Sequence, residues 1–141
     1  MPSKTTLKRA QEDKREGKAP STQAGEFVRE EMEHIREGKH GARSTRQAIA
    51  IGLSKARRAG VKLPPPKKGT TSTATRKKAE QDLERGRKGA GKKKPSAKRS
   101  AATKKALKRE SRSAASHRNL SKHAKRAASA RKRRGKVTAS R

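Results

Sequence analysis

The residues of this chain best suited to chemistry are its cations. "GKKKPSAKRSAATKKALKR" begins at Gly91 and "KHAKRAASARKRRGK" at Lys122. The expected phosphate contacts are Lys92, Lys93, Lys94, Lys98, Arg99, Lys104, Lys105, Lys108, Arg109, Arg112, Lys125, Arg126, Arg131, Lys132, Arg133 and Arg134. Lys and Arg at this density neutralise phosphates and release counterions, which gives tight, sequence-blind and salt-sensitive binding. The tail has no aromatic residue on which single-stranded bases would stack. Duplex DNA is therefore the expected partner ahead of RNA, with an RNA- or ribosome-binding role as an alternative.

Other chemistries find little support. His34 and His40 straddle a predicted helix break at Gly38, and His117 and His123 lie in a cationic segment, so no metal site is expected. There is no cysteine for a thiolate site or disulfide. No serine sits in a nucleophile elbow and no glycine loop of the phosphate-binding type occurs, so neither catalysis nor a cofactor is expected. Ser100, Ser111 and Ser113 stand among Arg and Lys as candidate phosphate acceptors, where added negative charge would weaken DNA binding.

The whole chain has 43 Lys plus Arg against 12 Asp plus Glu, a formal charge of +31 over 141 residues. Ile, Leu, Val and Phe number 13, well below the roughly 20% under which a highly charged chain is expected to be disordered. Ordering each residue costs about 1–2 kcal/mol, and most of the sequence offers no apolar side chain in return. A charge of this size implies a polyanionic partner. No secretory signal or membrane span is read from the sequence.

Residues 1–63 hold 15 basic and 8 acidic residues, whereas 64–141 hold 28 and 4. The change falls at "LPPPKKGTTSTAT", residues 63–75, whose prolines stop a helix and whose Gly/Thr/Ser run reads as a linker. "REGK" at 15–18 and 36–39, "RAGVK" at 58–62 and "ERGRK" at 84–88 each place Gly after a basic turn. Helices are expected to stop near Gly17, Gly38, Gly60 and Gly86.

A helix from about Thr22 to Glu37 puts Ala24, Val28 and Ile35 on one side, with Phe27 and Met32 beside them. Glu26, Glu30, Glu33 and Glu37 fall opposite as a solvated acidic face, while Glu31 interrupts the apolar arc. A second helix begins at Ser44, with Gln47 completing a capping box. Thr45, Ala48, Ile49, Gly52, Leu53, Ala56 and Ala59 share its inner face. The two make a hairpin over 21–63 with Val28, Ile35, Ile49 and Leu53 at its core. Ile51 falls outside that face, which leaves a homodimer and an ordinary exposed side chain both open. Arg46, Gln47, Ser54 and Arg57 would serve a helix-turn-helix reader, but a third helix and fuller core are missing from that pattern.

Residues 1–20 are read as a charged N-terminal helix or arm, 64–75 as the linker, and 76–141 as the cationic tail. "RSAATKKALKRES" (99–111) repeats as "RSAASHRNLSKHA" (112–124). A shift of 13 residues turns a helix by about 220°, so Leu107 and Leu120 would not share a stripe on one continuous helix.

"PSTQAGEFVREEMEHIREGKHGARSTRQAIAIGLSKARRAGVKLPPP" resembles a short domain of unknown function found in small basic proteobacterial proteins. "ALKRESRSAASHRNLSKHAKRAA" resembles their basic end, and the tail is similar to linker-histone-like Lys/Ala/Ser tails. Such proteins are sometimes labelled DNA-binding or plasmid-stabilisation proteins. The resemblance implies a bacterial cytoplasmic protein at the nucleoid and supplies no catalytic residues.

The expected fold class is all-α: a small helical hairpin followed by a largely disordered or conditionally helical basic tail. The expected function is non-enzymatic, sequence-independent DNA binding in a nucleoid-associated or DNA-maintenance role. The rival is a protein-interaction adaptor that its tail merely tethers to DNA.

Overall fold

Most helix starts in this chain are written in serine, α2 with Pro20 at its first position being the exception, and several helix ends in glycine. The computed structural model describes residues 3–88 and 96–139. It forms α1 (Lys4–Arg15), α2 (Pro20–Arg36), α3 (Thr45–Arg58), α4 (Thr73–Lys88), α5 (Ala97–Lys108), a 3-10 turn (Ser113–Ala115) and α6 (His117–Ala139). Among the described residues every regular element is helical, which agrees with the all-α expectation.

Ser3 caps α1 by accepting from Thr6 N–H at 3.2 Å, and Ser44 caps α3 through Gln47 N–H at the same distance. Ser96 receives Arg99 N–H at 3.1 Å, and Ser116 receives Asn119 N–H at 3.2 Å, so α5 and α6 begin the same way. Each cap satisfies one donor that a first turn leaves without an intrahelical partner. The capping box at Ser44 is modified: Gln47 Oε1 accepts from Arg43 N–H at 2.7 Å, one residue upstream of the expected donor.

At the end of α2, Gly38 adopts φ +80, Gly38 N–H donates to Ile35 O at 3.1 Å and Lys39 N–H to His34 O at 3.0 Å. This paired closure needs a left-handed residue, which glycine supplies at little steric cost. Gly17 and Gly60 close α1 and α3 with the same two bonds. Gly86 departs from the expectation of a stop, because α4 continues through it to Lys88. A Cβ there would overlap Arg57 O, so this glycine lets α4 approach the end of α3.

α2 packs against α1 on one side and α3 on the other, and α4 packs on α3. Contacts of Ala24 and Phe27 with Ala56, and of Met32 and Ile35 with Ala48, show that α2 and α3 run antiparallel. At their crossing, a Cβ on Gly52 would meet Val28 Cα at 2.7 Å. Small residues at the interface thus bring two backbones close together.

Two apolar clusters result. One joins Ala10, Ala24, Phe27, Ala56 and Val61, flanked by Leu7, Leu53 and Leu63. The other joins Met32, Ile35, Ala42, Ala48, Ala114 and Ala115, flanked by Val28, Ile49 and Leu120. Ile35 and Phe27 are fully buried, and each such side chain contributes about 1.5–3 kcal/mol relative to exposure. Alanines supply much of the rest, so the core is thin but closely packed.

The second copy of the tail repeat enters this core. Thr45 Oγ1 donates to Ala114 O at 2.6 Å, and Arg36 Nε donates to Ala115 O at 3.1 Å. The matching alanines of the first copy, Ala101 and Ala102, are exposed on α5. The structure avoids the mismatch of Leu107 and Leu120 by breaking the helix at 109–116 and turning the second copy inward. α5 itself buries no residue; its end docks where Gly41 N–H donates to Leu107 O at 2.8 Å and Ala42 N–H to Ser111 O at 3.0 Å.

The proline run is pinned at both ends. Arg57 donates from Nε to Leu63 O at 3.2 Å and from Nη2 to Pro64 O at 3.0 Å, and Arg76 Nε donates to Pro66 O at 3.2 Å. Helical angle puts Arg57 on the polar side of α3, yet it is buried because these prolines fold over it. That burial lowers its pKa from the ordinary arginine value, with the charge of Asp82 opposing the shift. Ala59, expected on the inner face, is exposed at the C-cap.

Candidate nucleic-acid interface

On α5, Lys98, Arg99, Lys104, Lys105 and Lys108 are all exposed. Arg109 and Arg112 are exposed in the segment leading to the 3-10 turn, and Lys125, Arg126, Arg131, Lys132 and Arg133 are exposed on α6. Arg134 lies within the backbone of α6, and Lys92, Lys93 and Lys94 lie outside the described residues. Arg112 sits against the end of α2, where its Nη1 would be 3.2 Å from a Cβ on Gly38. A cation there faces the negative end of the helix dipole as well as solvent.

The folded helices use their own carboxylates. Asp82, on α4, is almost wholly buried, accepts from Ser54 Oγ at 2.6 Å and lies 3.5 Å from Lys78 Nζ and 3.9 Å from Arg58 Nε. Asp13 pairs with Lys18 at 3.2 Å, and Glu84 with Arg87 at 2.6 Å. Beyond Glu84 the sequence has one acidic residue, Glu110. Among the described residues, no cation after Lys88 takes part in an ion pair. The basic residues of α5, and those of α6 from Arg118 to Arg133, are thus presented to solvent with their charge uncompensated among the described residues, which is what a surface for polyanions requires.

A second grouping, absent from the sequence expectations, lies at the end of α2. Glu31 is fully buried between the two apolar clusters and is met by Lys55 Nζ on Oε1. His40 Nε2 stands 3.1 Å from Glu31 Oε2, and His34 Nδ1 stands 3.9 Å from Oε1. The Gly38 turn, which in sequence separates the two histidines, folds His40 back beside His34, with ring centroids 6.2 Å apart. Burial of Glu31 in this company is tolerable because a buried carboxylate must be paired. Of this grouping only Glu31 was marked in the sequence, as an acid inside an apolar arc; its meeting with the two histidines was not.

Glu30 corrects the picture of a solvated acidic face. It is buried under the start of α1, where it accepts from Ser3 N–H at 2.8 Å and lies 3.6 Å from His34 Nε2.

Of the expected core residues, Ile35 is completely buried, whereas Val28, Ile49 and Leu53 are partly buried flanks of the clusters. Phe27, Ala48, Ala56 and the distant Ala114 and Ala115 form more of the interior than that set.

Residues 17–68 match the model of a family of unknown function, DUF6496. That segment begins at the Gly17 turn and contains α2, α3, the Glu31 grouping and the prolines, while α5 and α6 lie outside it. No curated protein and no solved structure matches the chain. Among the described residues, no helix is long and apolar enough to cross a membrane.

Proposed function

We propose that this protein binds duplex DNA without sequence preference through the cationic surface of α5 and α6, in a nucleoid-associated or DNA-maintenance role. The observation that carries the reading is the exposure of the described cations expected to contact phosphate, from Lys98 to Arg133, in a segment with only Glu110 to oppose them. Its helices are alanine-rich and cationic around much of their circumference, so contact with phosphates relieves their self-repulsion and extends their order. The helices α1 to α4 act as the body that carries this surface. Arg46, exposed at the start of α3, is not joined there by the basic and polar set a base-reading helix needs, since Arg57 is buried.

The test is a salt series of full-length protein against mixed-sequence duplex, with structured RNA as competitor. Replacing Lys98, Arg99, Lys104, Lys105, Lys108 and Arg109 by Gln should weaken binding. It should also flatten the dependence of log K on log salt by about 0.9 for each phosphate that is no longer neutralised. Unchanged affinity and slope in that variant would overturn the reading. Preferential competition by RNA would move the partner from DNA to RNA.

A further inference from the structure

Three side chains able to ligate a metal converge where α2 ends. Glu31, His34 and His40 each offer one ligand atom, and those atoms all lie within 4.8 Å of one another. Tetrahedral zinc bonds of about 2.0–2.2 Å place neighbouring ligand atoms roughly 3.3–3.5 Å apart. His40 Nε2 lies 3.1 Å from Glu31 Oε2, near that spacing, and the His34 ligand atom lies within 4.8 Å of the other two, so side-chain rotation closes the set.

The outer partners fit as well. His40 Nδ1 is 2.9 Å from Gly41 O, which fixes its proton there and directs the Nε2 lone pair toward Glu31. His34 turns Nε2 toward Glu30 Oε1 at 3.6 Å, leaving Nδ1 to face Glu31. In His40, one ring nitrogen on an oxygen acceptor and the other aimed inward is the arrangement that orients metal-bound histidine. Lys55 holds Oε1 of Glu31, which leaves Oε2 for an ion.

The geometry points to a binding site for a divalent transition-metal ion of the zinc class at Glu31, His34 and His40. Two imidazoles with one carboxylate suit zinc, cobalt, nickel or copper, whereas calcium and magnesium prefer oxygen donors. The partial exposure of both histidines leaves a fourth position for water. The chain is strongly cationic, but Glu30 stands beside His34 at 3.6 Å and adds a second carboxylate to the charge balance of this site against Lys55. A bound ion would tie α2 to the 39–43 loop, whose Gly41 and Ala42 bond to Leu107 O and Ser111 O at the end of the first repeat and whose Ala42 packs with Ala114 and Ala115 of the second. Folds with so small a core commonly use a staple of this kind.

The test is calorimetric titration of the full chain with Zn²⁺, alongside NMR of the histidine rings. A single equivalent should bind and shift the His34 and His40 signals while leaving His117 and His123 unchanged. His34→Gln and His40→Gln should each weaken binding by at least about tenfold, and a variant carrying His117→Gln with His123→Gln should bind as the parent does. Absence of binding to Zn²⁺ and Co²⁺, or ring shifts at His117 and His123 alone, would overturn the site. The ring signals of the unaltered chain decide the matter even if a histidine variant fails to fold. DNA binding through α5 and α6 would stand or fall separately.

Discussion

Ser54 of α3 donates its hydroxyl to Asp82 of α4 at 2.6 Å, beneath a carboxylate that is almost wholly buried. This bond, with Lys78 and Arg58 on the other carboxylate oxygen, fastens the helix that follows the prolines to the α2–α3 pair. Asp82→Ala strands the Ser54 hydroxyl and removes the anion beside two cations. It should lower unfolding stability by about 1–3 kcal/mol, read as a lower midpoint in urea denaturation. An unchanged midpoint would mean that the Ser54–Asp82 bond does not fasten α4 to the fold.

Two glycines in adjoining helices should respond in opposite directions to the same substitution. Gly25 is exposed on α2 with nothing within 4 Å of a new Cβ, so Gly25→Ala should stabilise by about 0.5–1 kcal/mol through helix propensity. Gly52→Ala drives a methyl to 2.7 Å from Val28 Cα and pushes α3 away from α2. Overpacking costs about 1–3 kcal/mol and outweighs the propensity gain. Thermal melts of the two variants beside the parent check both signs.

The repeat offers a comparison within one chain. Ala102 and Ala115 occupy equivalent places in the two copies, one exposed and the other fully buried. Ala102→Leu should leave stability within about 0.5 kcal/mol of the parent. Ala115→Leu overfills the cluster around Ile35 and should cost about 1–3 kcal/mol. Equal effects in chemical denaturation would show that the second copy does not pack as described.

Acid should release the Glu84–Arg87 ion pair on α4. The hydrogen bond from Arg87, aided by the charges of Arg87 and Lys88, holds the Glu84 carboxyl below the usual glutamate range. Because the folded pKa is depressed, the contribution is complete above the unfolded value and disappears as pH falls through the folded one. Arg87→Gln should therefore reduce helicity slightly at about pH 7, with the difference from the parent vanishing near pH 2. Circular dichroism of both proteins at the two pH values measures it; a difference that persists in acid would assign the effect to another cause.

Much of the helical layout was written locally. Ser44, Gly17, Gly38 and Gly60 each carry a terminus whose geometry depends on neighbours within a few residues, so their types and spacing suffice. Gly86 carried the same signature and had a different use, because the approach of Arg57 O that requires it comes from another helix. Glu30 and Arg57 followed the same logic: helical angle placed them outside, and α1 and the prolines then covered them. The exposed cations of α5 and α6 were legible from charge density alone. The Glu31 grouping was not, because it depends on the direction in which the chain leaves Gly38. Nor did pattern reveal Ala114 and Ala115 as core, since alanine in a basic repeat looks the same inside and out.

The bond from Arg36 to Ala115 spans 79 positions of chain. Closing so long a loop carries an entropic cost, and its reward comes only once both ends exist. During synthesis, α2 and α3 leave the ribosome with one flank of their core bare, and the residues that cover it are made only after the whole of α5. Completion of this fold therefore waits on residues made after α5: α2 and α3 hold a half-built core until Ala114 and Ala115 arrive to close it.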